Sequence, residues 1–429
     1  LRKNFTKRWF HAKIQLKQGR IAVMVERKQY LEKLWKWKDA QVIKVVTGIR
    51  RCGKSTLLQM FQGELKKQEV ADDQIITVNF EDIGFSELLD YQNLFKYVTK
   101  RLCNGKKTYV FLDEIQIVPE FQKAVDSLFL NANIDLYITG SNAYLLSSEL
   151  ATLLTGRYVE ISMFPLSFAE FCKARHKDGD EKSLAEFMNI GGFPFLASLD
   201  DPVGMSGDYL DGIYHTILFR DIEERQKRKT TNGLGRKVND MALLSNIAGF
   251  LAGTVGNRIS IKRITDYIAS TGRRISQNTV NDYVSALVEP FLFYPAERID
   301  LAGKQLLSTN GKYYIADLGL RNRMIDRKKY ELGFSLENLV FIELMRRGFK
   351  VNVGKTDDAE IDFVACKDGT FDYLQVTASM TEKTTFEREM APLRAMRDNY
   401  SKTVLTLDRF TEGNYGGIIV KNVIDWLLE

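Results

Sequence analysis

Val42-Ile43-Lys44-Val45-Val46-Thr47-Gly48-Ile49-Arg50-Arg51-Cys52-Gly53-Lys54-Ser55, running on into Thr56-Leu57-Leu58-Gln59-Met60-Phe61, decides the fold. An apolar run suited to a buried strand leads into GxxxxGK[ST] and then into a helix start, the strand–loop–helix context in which that pattern wraps phosphate. A helix start carries free N–H groups and the positive end of the dipole, and glycines let the backbone curl close to phosphate oxygens. Gly48, Ile49, Arg50, Arg51, Cys52 and Gly53 are the expected cradle. Lys54 would reach the β and γ phosphates, Ser55 would offer its hydroxyl to Mg²⁺, and Thr56 would close the cradle beside the α-phosphate. The rival reading is a tight strand-to-helix turn with an incidental lysine.

Downstream, Thr108-Tyr109-Val110-Phe111-Leu112-Asp113-Glu114 is a buried-strand run ending in adjacent carboxylates, a Walker B pattern. Asp113 is expected to hold Mg²⁺ through a water and Glu114 to act as general base on the attacking water. A third strand, Ile134 to Thr139, ends at Gly140-Ser141-Asn142, where Ser141 or Asn142 is the γ-phosphate sensor candidate, with helix capping as the alternative. Asn79 ends the run Ile75-Ile76-Thr77-Val78 and either restrains Glu114 or makes an ordinary strand-end hydrogen bond. Arg157 is read as a γ-phosphate finger, acting within the chain or on a neighbour, or else as half of a structural salt bridge. Strands near 42–47, 74–80, 108–113, 134–139 and 158–161 alternate with helical stretches near 54–70, 86–103, 120–131 and 142–154, which predicts a parallel α/β sheet.

These pieces, with Leu112-Asp113-Glu114-Ile115-Gln116, Thr139-Gly140-Ser141-Asn142-Ala143, Gly156-Arg157 and Phe164-Pro165-Leu166-Ser167-Phe168-Ala169-Glu170-Phe171, make the chain from about Val25 onward resemble the bacterial and archaeal AAA-type ATPases that join a P-loop domain to a carboxy-terminal domain of unknown function. The resemblance implies an AAA-type P-loop NTPase sheet in which another strand separates the P-loop and Walker B strands. It also implies ATP with Mg²⁺; no guanine-reading N/T-K-x-D stands near the expected position.

The composition fits several folded units. The 429 residues are 45% hydrophobic and 27% charged, with no low-complexity linker. The net charge of +6 is concentrated in residues 1–23, which hold seven basic residues and no acid; the other 406 hold 54 basic against 55 acidic. With Met24 opening a helix-like stretch, residues 1–23 read as an upstream extension or, alternatively, a polyanion-binding arm. The chain contains no apolar run of about 18 residues, so no membrane span is expected. Four cysteines without CxxC spacing suggest neither zinc nor a disulfide framework, which suits a reducing cytoplasm.

Behind the P-loop unit (24–165), residues 166–235 read as a helical lid or linker. It is broken at Gly191-Gly192-Phe193-Pro194 and helical again from Tyr209 to Glu224, with Arg220 as a second-sensor candidate or an ion-pair partner of Asp221. Arg225 to Lys237 carries six basic residues and no acid, read as a solvated loop. Residues 236–300 suggest a winged helix-turn-helix, from Ile261-Ile264-Ile268 and Val280-Tyr283-Val284-Leu287 followed by Phe291-Leu292-Phe293-Tyr294. Its polar face of Ser276, Gln277, Asn278, Thr279, Asn281 and Ser285, backed by Lys262, Arg263, Arg273 and Arg274, suits either a DNA groove or a protein contact. Residues 301–429 resemble a restriction-endonuclease-like PD-(D/E)xK domain: Glu337 on a helix, Glu360-Ile361-Asp362 on a strand and Gln375-Val376-Thr377 on the next. In that family the last strand carries a carboxylate and a lysine two residues apart. Gln375 and Thr377 stand there instead, so a catalytically inactive domain is expected. The sequence thus predicts an ATPase driving or gating its C-terminal domains. The alternatives are a nucleic-acid-binding module with ATP as a switch, and a nucleotide-controlled protein-interaction switch; any of these is compatible with an oligomer.

Overall fold

The computed structural model describes residues 25–141, 156–222, 240–301, 305–325, 331–356 and 359–429. The first sheet has five parallel strands, β1 (Ile43–Thr47), β2 (Ile75–Asn79), β3 (Thr108–Asp113), β4 (Ile134–Gly140) and β5 (Tyr158–Ser162), in the order β2-β3-β4-β1-β5. Every residue of β1, β3 and β4 is buried, because helices cover both faces; strands so placed read as continuous apolar runs. Side chains alternate across the sheet. Phe111 and Tyr137 stack at 4.8 Å on the face shared with α1 (Lys28–Lys36) and α2 (Lys54–Lys67). Val110, Leu112 and Ile138 pack on the other, against α3 (Tyr91–Thr99) and α4 (Phe121–Phe129). The order puts β4 between the P-loop strand and the Walker B strand, as the resemblance implied.

Sequence chemistry starts and stops the next helices. The Ser167 hydroxyl accepts from Glu170 N–H and the Glu170 carboxylate accepts from Ser167 N–H, a reciprocal cap that opens α5 (Phe168–Arg175). Then come α6 (Glu181–Ile190) and α7 (Pro202–His215). The helix expected from Tyr209 to Glu224 begins earlier, at Pro202, and continues from α7 through a wider π-type stretch over Thr216–Asp221. The apolar α8 (Met241–Gly253) is a buried helix, and α9 (Ile261–Ser270) and α10 (Gln277–Val288) are the helix pair expected there.

β6 (Phe293–Asp300) and β7 (Gln305–Ile315) form an antiparallel hairpin, and β6 also pairs in parallel with β8 (Lys350–Lys355). The expected boundary at 300 is therefore corrected, since this hairpin spans it inside one sheet. That mixed sheet has eight strands, in the order β12-β13-β11-β10-β9-β8-β6-β7. Its remaining members are β9 (Glu360–Lys367), β10 (Thr370–Thr377), β11 (Ser401–Thr406), β12 (Gly413–Tyr415) and β13 (Ile418–Asn422). Around it pack α11 (Leu318–Met324), α12 (Leu332–Arg346), α13 (Lys383–Ala395) and α14 (Val423–Leu428).

Two contacts tie the sheets together. Gly192 N–H donates to buried Asp317 at 2.7 Å, and a Cβ on Gly191 (φ +80°) would lie 2.0 Å from the same carboxylate. Arg346, at the end of α12, is buried and donates to the Pro165 carbonyl at 2.9 Å. Among the described residues no helix is long and apolar enough to cross a membrane, and all four cysteines are free thiols.

Candidate functional site

The loop after β1 turns on two left-handed glycines. Gly48 has φ +142°, and a Cβ there would meet the Met163 carbonyl oxygen at 2.0 Å; Gly53, with φ +105°, is the N-cap of α2. Because Gly53 has no side chain, no side chain caps the first turn of α2, and its N–H groups remain available to an anion. The Lys54 ammonium donates to the carbonyls of Gly48 (3.1 Å) and Ile49 (3.4 Å) and lies 3.7 Å from Glu114 Oε1. Ile49 and Cys52 point into the core, and burial pushes the Cys52 thiol up, away from thiolate chemistry. Arg50 pairs with Glu81 at 2.7 Å. Arg51 takes φ +68°, and both Arg51 and Thr56 are exposed.

Asp113 and Glu114 stand at the end of β3 facing this loop. Thr139, near the end of neighbouring β4, joins them: its hydroxyl donates to Asp113 Oδ1 at 2.6 Å and accepts the Glu114 N–H at 2.9 Å. Burial pushes the Asp113 carboxyl above the ordinary carboxylate range, against the Thr139 and Ser55 hydroxyls that hydrogen-bond to it. For Glu114 burial again opposes ionisation, but the Lys54 ammonium, the Gln116 amide and the Ser141 hydroxyl outweigh it and hold the carboxyl below its usual range. Ser141 donates to Glu114 Oε2 at 3.0 Å and Gln116 Nε2 donates to the same oxygen. Glu114 itself takes φ +54°, an uncommon backbone state for a residue with a side chain. Ser55 beside Asp113, the curled loop and the uncapped helix start fit a Mg²⁺–triphosphate: Ser55 and Asp113 would hold the metal, and Gly48 to Thr56 the phosphates.

Sequence reasoning placed most of this but missed Thr139, Gln116 and Arg27. Arg27 is buried, and its guanidinium donates to the Cys52 carbonyl in the loop (3.2 Å), the Phe164 carbonyl (2.7 Å) and Glu170 (3.0 Å). No local signal in the sequence marks Arg27, because its partners lie far along the chain. Asn79 makes the strand-end hydrogen bonds that the sequence also allowed: its amide donates to Asp113 Oδ2 at 3.1 Å and its oxygen accepts Glu81 N–H at 2.9 Å. Arg157 is corrected as a finger within its own chain. Its carbonyl accepts from Ile43 N–H at the start of β1, so it lies at the far end of the sheet, about 15 Å along the strand direction from Gly48. Its guanidinium rests 5.6 Å from the Phe129 ring. Asn142, the helix expected near 142–154 and Arg225 to Lys237 lie outside the described residues, as does the side chain of Arg220.

In the expected winged helix, Gln277, Asn278 and Asn281 are exposed, whereas Ser276 and Thr279 are engaged in capping α10, and Arg273 pairs with Asp240 at 2.5 Å.

Comparison with known proteins agrees with the geometry. Residues 40–172 match the model of an AAA domain, and residues 181–331 that of a domain of unknown function, DUF8612. An uncharacterised protein of Haemophilus influenzae is 39% identical over 411 residues, 95% of this chain and 99% of that one. Uncharacterised protein MJ1544 of Methanocaldococcus jannaschii is 32% identical over 377 residues, 83% of this chain and 79% of that one. Among solved structures, the Walker-type ATPase PABY2304 of Pyrococcus abyssi aligns over 72% of this chain and 99% of its own, with a TM-score of 0.44 at 17% identity. The chain belongs to the AAA-type P-loop ATPases that carry a domain of unknown function behind the nucleotide-binding sheet.

Proposed function

We propose that this chain is a Mg²⁺-dependent ATPase whose nucleotide state gates the arrangement of the helical segment and the second sheet. The observation that carries the reading is the convergence at one sheet end of Lys54, Ser55, Asp113 and Glu114, with Lys54 3.7 Å from Glu114. Bound Mg²⁺ supplies charge neutralisation to the phosphates. Glu114, ionised at neutral pH and directed by Ser141 and Gln116, accepts the proton of the attacking water. Lys54 exchanges its contacts with the loop carbonyls for phosphate oxygens, and the α2 N–H groups bind the rest. Gating is supported by the Arg27 contact with the Cys52 carbonyl, because the same guanidinium touches the Phe164 carbonyl, next to the Pro165 carbonyl that Arg346 of α12 holds. Arg157 acts, if on phosphate at all, on a neighbouring copy.

ATP turnover by wild type and Lys54→Ala tests the assignment. Loss of turnover and of nucleotide affinity is expected in the variant; turnover that persists there, or a wild type without affinity for ATP, overturns it.

A further inference from the structure

The C-terminal sheet gathers the carboxylates that its resemblance to metal-dependent nucleases highlighted, together with one residue from elsewhere. Glu337 on α12 and Glu360 and Asp362 on β9 border a cleft of about 590 Å³ that Gln375 and Thr377 of β10 and Arg388 of α13 also line. Into the cluster, from β7, comes Lys312, whose side chain is only 4% exposed. Its Nζ lies 2.8 Å from Glu337 Oε1, 3.0 Å from Glu360 Oε1 and 3.4 Å from Asp362 Oδ1. An ammonium has three protons, and three carboxylates face them.

Tyr314 also donates to Glu337 Oε1, at 2.6 Å, and Val376 N–H donates to Asp362 Oδ2 at 3.0 Å; Arg258 Nε lies 3.3 Å from Glu360 Oε2 as an ion pair, and that buried oxygen accepts no hydrogen bond. Gln375, where a metal-binding carboxylate would stand, accepts the Asp362 N–H with its oxygen (2.6 Å) and donates its amide N–H to Glu389 (3.1 Å). That pairing fixes its orientation, with the oxygen turned to the Asp362 backbone. The Thr377 hydroxyl donates to the Ser379 carbonyl at 3.0 Å. Among the described residues no group of three or more His, Cys, Asp or Glu side chains is arranged to hold a metal ion. The donors of a nuclease centre are therefore partly present, but they do not fit a divalent cation while Lys312 stands among them.

We propose that the Lys312 ammonium is a resident cation in the place a divalent ion would take, closing this cleft to metal-dependent phosphodiester cleavage, and that its removal alone opens a divalent-cation site at Glu337, Glu360 and Asp362. The ammonium absent from position 377 is supplied by a different strand, and it is spent on neutralising the acids. Carboxylates this close do not all stay ionised without a cation, so a variant lacking the ammonium must bind a metal ion, take up protons or lose stability.

The test uses full-length, nucleotide-free protein in four forms: wild type, Lys312→Met, Asp362→Asn and the double variant. Bound Mn²⁺ is counted from the loss of the free-ion electron paramagnetic resonance signal, and melting is followed with and without Mn²⁺; any Mn²⁺ at the P-loop is common to all four. Wild type and Asp362→Asn are expected to bind the same number of Mn²⁺ ions. Lys312→Met should gain one, at least tenfold tighter than any wild-type binding at this cleft, with a melting temperature that climbs with Mn²⁺ concentration. The double variant should lose that gain. A Mn²⁺ ion bound by wild type and lost in Asp362→Asn overturns the proposal, as does a folded Lys312→Met that gains none. Should Lys312→Met fold only in Mn²⁺, recovery of its circular dichroism on adding the ion supports the proposal. Should it fold in neither condition, Lys312→Gln decides, and no added ion there counts against.

Discussion

Replacing Thr139 with valine keeps the shape of the side chain and deletes one hydroxyl, which in this structure bridges Asp113 and the backbone of Glu114. Two losses follow. The buried Glu114 N–H has no acceptor, at about 1–3 kcal/mol, and Asp113 loses a hydrogen bond to a charged group worth about 1.5–3 kcal/mol. Since the two share one site they will not add fully, so a stability loss of about 2–4 kcal/mol is expected, read as a lower urea midpoint at unchanged slope. Asp113 is already held up by burial, with the Thr139 hydroxyl foremost among the groups opposing that rise; without it the carboxyl rises further and is a poorer partner for Mg²⁺. Converting the lost 1.5–3 kcal/mol at about 1.4 kcal/mol per factor of ten gives roughly a 10- to 100-fold fall in kcat/KM for MgATP. Thr139→Ser keeps the hydroxyl and should retain most of both quantities. Wild-type turnover and an unmoved urea midpoint in Thr139→Val would refute the reasoning, because the bridge would then contribute neither to fold nor to site.

Glu114→Gln should bind MgATP with affinity close to wild type while turnover drops roughly 10²–10⁴-fold, the range of a lost general base; equal turnover would remove Glu114 from that role. Arg27→Ala leaves Glu170 and two carbonyls without the guanidinium and should cost about 3–5 kcal/mol in urea unfolding, with weaker nucleotide binding. Arg27→Lys should recover only part of this, because a point charge cannot span three acceptors fixed in a fork. Burial lifts the Asp317 carboxyl to about 6, against the N–H groups of Gly192, Leu320 and Gly319. A carboxyl raised in the folded state contributes stability that is complete below its ordinary value of 3.8 and is lost as pH climbs through about 6. Urea midpoints should therefore fall between pH 4 and 7 by the equivalent of about 3 kcal/mol relative to Asp317→Asn, and parallel pH profiles for the two would contradict this.

The nucleotide half of the site could be read from sequence because its signals are local. Two glycines spaced around a loop dictate left-handed backbone, and a strand that ends in Asp113-Glu114 puts carboxylates at the same sheet end as that loop once the strands are parallel. Thr139 was visible only as a strand residue. Its function depends on β4 lying beside β3, which the alternation of elements does not specify; given the strand order, a hydroxyl near the end of the neighbouring strand was the signal to look for. Arg27 is farther from legibility. Its partners are 25, 137 and 143 residues away in the chain, and a lone arginine ahead of a helix gives no hint of burial. Arg157 failed as an internal finger for a related reason: the motif spacing was right, but parallel pairing with β1 puts the start of β5 at the opposite end of the sheet from the phosphates.

In the second sheet the resemblance to PD-(D/E)xK domains located α12, β9 and β10 and the carboxylates they carry, but gave no sign of Lys312 among them. A lysine within Gly311-Lys312-Tyr313-Tyr314 reads as a solvated strand residue, since lysine is rarely buried unless paired. What reverses that reading is a set of three acids from two other segments, brought together by a sheet in which β6 and β8 separate β7 from β9. These acids could not all stay ionised beside one another without the ammonium, and the ammonium could not remain buried without them. The four side chains are therefore one electrostatic unit, and a substitution at any of them should be judged by the charge it leaves uncompensated rather than by its distance from the nuclease pattern.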